Sequence, residues 1–107
     1  MRELTLQPLQ EALAALGSAY HYVAQPNAVP PYLVWMEDGS NDPVAETVNA
    51  ARIYQGSVDL YTKTEDEPLM ESVPKALEGI GAAWYLNSVQ YEDDTGLIHY
   101  EWVWEYG

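Results

Sequence analysis

Arg52-Ile53-Tyr54-Gln55-Gly56-Ser57-Val58-Asp59-Leu60-Tyr61-Thr62-Lys63 is the stretch on which the fold turns. In an extended chain Val58 and Leu60 point to one face, and Ser57, Asp59 and Tyr61 to the other. That period of two marks a half-buried strand. We read one strand in the middle of the chain, ending near Thr62, with a sheet built around it. Upstream, Tyr32-Leu33-Val34-Trp35-Met36 is a shorter apolar strand behind Pro30 and Pro31. Downstream, Ala83 to Tyr91 runs out, Glu92-Asp93-Asp94-Thr95-Gly96 turns, and Leu97 to Tyr106 returns. On the return Ile98, Tyr100, Trp102, Trp104 and Tyr106 share one face, while Leu97, His99, Glu101, Val103 and Glu105 take the other. Such alternation of aromatic and β-branched residues suits a strand and not a helix.

Two helices flank these strands. Leu6, Leu9, Leu13 and Leu16 recur at helical spacing, Thr5 can cap the start, and Pro8 is tolerated in a first turn. Gly17 is a natural stop, so a helix is expected over about Thr5 to Leu16 with its leucine stripe on a sheet. Thr64-Glu65-Asp66-Glu67-Pro68 reads as a second helix start. Leu69, Met70, Val73, Ala76, Leu77 and Ile80 continue it to Gly79 and Gly81. Pro74 conflicts with that run, because a proline inside a helix removes a hydrogen bond and costs about 3 kcal/mol. The helix therefore either kinks at Pro74 or starts late, near Ser72. Ala19 to Val23 is a possible short strand, and Gln25 to Pro31 is irregular because its prolines forbid a regular ladder. Glu37 to Pro43 has loop chemistry, and Val44 to Ala51 is either an extended lead-in or an arm. The order helix, strands, helix, strand, strand predicts one α+β domain over residues 1–107. Its mainly antiparallel sheet has four to five strands packed against two helices.

Composition narrows the function classes. Seventeen acidic residues against four basic ones give a net charge of −13. That charge repels nucleic-acid phosphates and anionic membrane surfaces. Four Trp and nine Tyr with no Phe favour aromatic rings with a polar tip, which suit half-wet faces and interfaces. No cysteine is present, so disulfide and thiolate chemistry are absent. Glu3 and Glu11 interrupt any apolar core of a signal peptide, and no run reaches the roughly 20 apolar residues of a membrane span. We expect a protein made in the cytosol and kept there or carried in a particle assembled there.

Reactive constellations are hard to find. His21 and His99 are the two histidines, and both read as surface or packing residues. There is no Gly-x-Ser-x-Gly elbow and no Gly-rich phosphate loop. Asp38-x-Ser40-x-Asp42 begins like a calcium loop, but Pro43 stands where that loop needs glycine and Asn49 where it needs glutamate. We therefore expect no catalytic residues, no metal and no cofactor. A binding role fits better. The candidate surfaces are the exposed face of the strand that carries Trp102 and Trp104, and the loop from Glu37 to Ala51. Loops of that length are uncommon in a small domain unless functional or disordered.

The pieces in order then resemble a known family. A helix with Leu9 and Leu13 leads to Pro31-Tyr32-Leu33-Val34-Trp35, and a polar loop follows with Asp42 and Asn49. Next come Val58-Asp59-Leu60-Tyr61-Thr62-Lys63, an acidic helix start at Glu65 to Pro68, and a closing hairpin with an aromatic last strand. Over nearly the whole chain this resembles the small head–tail joining, tail-completion or tail-terminator proteins of long-tailed bacteriophages and prophages. The resemblance implies a structural virion protein with no enzymatic activity. It would cap the finished tail tube and join it to the head as a ring, often a hexamer, around the DNA channel. Its partners would be itself, the tail tube protein and the head connector protein. Glu37, Asp38, Asp42, Asn49, Arg52 and Lys63 are the residues we expect at an interface. Arg52 and Lys63 are rare cations that can pair across a subunit boundary, or with Asp59 or Glu65 on the surface. The other class to weigh is an acidic DNA-mimic inhibitor of a nucleic-acid enzyme, and a third is an enzyme or ligand-binding module.

Overall fold

The structure is a computed structural model that describes residues 5–40 and 53–107. In chain order its elements are α1 (Gln7–Ala14), β1 (Ala19–His21), β2 (Tyr32–Ser40), β3 (Tyr54–Thr62), α2 (Leu69–Gly79), β4 (Ala83–Glu92) and β5 (Leu97–Tyr106). The strands make one sheet in the order β1-β2-β3-β5-β4. β1 runs parallel to β2, and every other neighbouring pair is antiparallel. This is the α+β architecture that the periodicity predicts, with Tyr54–Thr62 as the central strand.

Register decides which side chains meet. Leu33, Leu60 and Tyr100 lie abreast, as do Trp35, Val58 and Trp102. Leu9 and Leu13 of α1 and Val73 and Leu77 of α2 bury completely in the same cluster. Both helices therefore cover one face of the sheet. Each fully buried large apolar side chain contributes about 1.5–3 kcal/mol relative to exposure. Trp104, on that face, is paired with Gly56 of β3 and has no exposed surface.

Several local expectations change. Glu37 to Ser40 are strand, not loop: the β2–β3 ladder continues to Ser40 and Tyr54, with a register shift between Glu37 and Gly39. A bulge absorbs the extra residue and keeps the ladder running through polar side chains. The second helix begins at Leu69, later than Thr64 and earlier than Ser72, and it contains Pro74. Thr64 is not its cap. The Glu67 carboxylate accepts the Leu69 N–H at 3.3 Å and the buried Thr62 hydroxyl at 3.1 Å. At the other end Ala82 N–H bonds Leu77 O and Gly81 N–H bonds Glu78 O, with Gly81 at φ +84°. That is the Schellman pattern, and it explains the stop at Gly81. At the first helix, Thr5 Oγ1 accepts the Gln7 N–H at 3.4 Å, one residue outside the Leu6 cap.

Candidate interaction surfaces

An open sheet has two edges, and each displays unpaired backbone N–H and C=O groups. Here the edges are β1 and β4, at opposite ends of the sheet. β4 is ten residues long and leaves Tyr85, Leu86, Val89 and Tyr91 exposed, Tyr91 by 65%. Leu86, Val89 and Tyr91 pair with Trp102, Tyr100 and Ile98, so they sit on the helix side of the sheet yet remain exposed. Asn87 is skipped in the ladder, and its amide donates to Glu101 Oε1 at 2.7 Å.

The β1 edge is shorter and differently built. The His21 ring lies between Trp35, 3.9 Å away and 9° from parallel, and Tyr22, 4.0 Å away. Its Nε2 meets the two Glu37 oxygens at 3.1 and 3.2 Å, and the Tyr22 hydroxyl donates to Glu37 Oε1. Tyr22 adopts φ +71°, a left-handed conformation rare for a large side chain. Its N–H donates to Trp35 O at 2.8 Å, which fixes this turn against β2. Beyond it Val23 and Val29 stand about three-quarters exposed, at 74% and 75%.

The sheet face opposite the helices carries a row of rings. Tyr32, Tyr61 and His99 lie abreast on β2, β3 and β5, with centroids 5.1 and 4.3 Å apart, and Tyr20 meets Tyr32 edge-on at 6.1 Å. His99 Nε2 is 3.5 Å from Asp59 Oδ1, and Nδ1 is 3.5 Å from Glu92 Oε2. Both distances are at the long end for hydrogen bonds. The Asp59 carboxylate raises the His99 pKa above its ordinary value, against the opposing effect of burial, and Glu92 and Glu101 add to the rise. The Tyr61 phenol is pushed up to about 12, first by burial and then by Asp59. Burial and Glu92 raise Tyr32 in the same direction.

A cleft of about 400 Å³ opens at the far end of the sheet, lined by Asp38, Gln55, Tyr85, Trp104 and Glu105 among others. The Trp104 indole N–H has no hydrogen-bond partner among the described residues. Among the described residues no group of three or more His, Asp or Glu is arranged to hold a metal ion.

Of the six expected interface residues, Glu37, Asp38 and Lys63 lie among the described residues. Glu37 is engaged by His21 and Tyr22, while Asp38 sits at the β2 bulge and lines the cleft. Lys63 is exposed just past β3. Asp59 turns toward His99 on the open face. Asp42, Asn49 and Arg52 lie outside the described residues. The exposed apolar side chains of β4 were not among the expected site residues. Their signal was the uncharged run from Ala83 to Tyr91. His99 was read as a surface or packing residue, and it packs against Tyr61, with Asp59 reaching it from β3 and Glu92 from across the β4–β5 hairpin. The chain matches no protein-family model and no curated protein.

Proposed function

We propose that this chain is an assembly protein of a long-tailed bacteriophage or prophage. It caps the finished tail tube and joins it to the head as a ring, taken as six copies, around the DNA channel. It performs no reaction, and its place is the head–tail interface of the virion. The observation that carries this reading is the open sheet whose two edge strands, β1 on one side and β4 on the other, have no further strand beside them among the described residues. A ring subunit meets its neighbours through two different surfaces, head to tail, and two dissimilar edges supply them. The resemblance of the ordered pieces supports the same reading. So does the net charge of −13, which leaves a channel wall that does not grip DNA phosphates. The tail tube and head connector proteins are then the partners beyond the ring.

A DNA-mimicking inhibitor would instead present carboxylates in a row at phosphate spacing. Asp59 and Glu92 on the open face close around His99. The experiment is to add purified protein to tail tubes assembled without it and to image them with filled heads. Capped tubes and joined heads are expected. Tubes with unchanged ends and no joined heads would refute the proposal.

A further inference from the structure

The sequence stretches that form the two sheet edges carry no charged residue of their own, although Glu37 of β2 meets Tyr22 beside β1 and Glu101 of β5 meets Asn87 of β4. No Asp, Glu, Lys or Arg occurs from Ala12 to Met36, which includes β1 and the chain on either side of it. None occurs from Ala83 to Tyr91, which is all of β4 except its last residue. Among the described residues, every exposed large apolar side chain falls in these two stretches. The β1 side contributes Tyr22, Val23 and Val29, and β4 contributes the four named above.

Charge and exposure point to the same occupant. Two copies of a chain with a net charge of −13 repel one another, and carboxylates brought together at a contact would add to that repulsion. Contact costs least where both surfaces are uncharged, and burying exposed apolar area drives it. An antiparallel pairing of β4 with β4 would meet the charge condition. It would leave Tyr22, Val23 and Val29 in water on both copies. Joining β4 of one copy to the β1 side of the next buries both patches at once. β1 offers three residues to a backbone ladder, so side chains carry most of this contact and it is weak.

We infer that copies of this chain join head to tail, the β4 edge of one against the Tyr22–Val29 side of β1 in the next. The inference rests on the ring reading and specifies its contact. Screening the net charge strengthens the joint, in contrast to a contact held by ion pairs.

The chain has no cysteine, so Val23→Cys and Val89→Cys each introduce a single thiol. Both positions are at least half exposed, and Val29→Cys serves as a second probe of the β1 side. One variant carries a tag, and the variants are treated with a short bismaleimide alone and mixed, at high protein concentration. The expected result is a tagged–untagged dimer from Val23→Cys with Val89→Cys, and from Val29→Cys with Val89→Cys. Each variant alone should give several-fold less. Yield should rise several-fold from low salt to ~1 M NaCl, where the screening length is about 3 Å. Efficient cross-linking of Val89→Cys to itself overturns the inference, as do mixtures no better than the single variants. Cross-links in the expected pairs without tail capping would keep this contact and remove the phage reading. Capped tails without those cross-links would do the reverse.

Discussion

Replacing Gly56 with alanine should disrupt the centre of the sheet. An added Cβ would overlap the Met36 carbonyl oxygen and stand 2.7 Å from Trp104 Cζ2 and 2.8 Å from Glu37 Cα. Two of those neighbours are backbone of β2, at the bulge, so no rotamer change relieves them. The third is the fully buried Trp104, packed among Trp102, Val58 and the helices. Overpacking a core costs about 1–3 kcal/mol, and a clash with backbone belongs at the top of that range. Against a typical stability of about 5–15 kcal/mol that is a large loss. For a domain of this size a loss of about 3 kcal/mol lowers Tm by roughly 12–24 °C. Thermal unfolding followed by far-UV circular dichroism measures it directly. Gly39→Ala is the control, since among the described residues its Cβ would meet only the Gln55 Nε2 atom at 3.7 Å, an ordinary contact. Its Tm should stay close to that of the parent. A Gly56→Ala protein melting within about 3 °C of the parent would refute the packing argument, because such a shift is under 1 kcal/mol.

Two further outcomes follow from polar contacts. His99 has a folded pKa above its ordinary value of 6.5, so its contribution is fully present below that pH and is lost as pH rises through the folded value. Tm should fall over that interval in the parent and stay flatter in His99→Gln. Parallel pH profiles for the two proteins would count against the pairing. Glu67→Ala removes the carboxylate that holds both Thr62 and the first N–H of α2. Loss of such a cap costs about 1 kcal/mol, or roughly 4–8 °C in Tm, and an unchanged melt would show the contact to be idle.

Local pattern alone was enough for β3, β5 and α1. Each buries one face against a single layer, so its burial writes a period of two or of three to four into the sequence. Ile98, Tyr100, Trp102, Trp104 and Tyr106 could be placed on one face before any contact was known. The same holds for the stop at Gly81, whose positive φ is a local requirement. The end of β2 was hidden. Glu37, Asp38, Gly39 and Ser40 have turn chemistry, and pairing with β3 overrides that preference. The start of α2 was hidden too, because its first N–H is satisfied by a Glu67 carboxylate shared with a buried threonine five residues earlier.

Taken alone, the sequence determined the class of the fold, the central strand, the aromatic face of the hairpin and the excess of negative charge. Tertiary structure decided which strands became edges, and thereby which uncharged stretches face outward. It also decided that His99 would meet Asp59 of β3. Faces follow from spacing along one segment, whereas neighbours and edges depend on strand order, which joins residues far apart in the chain.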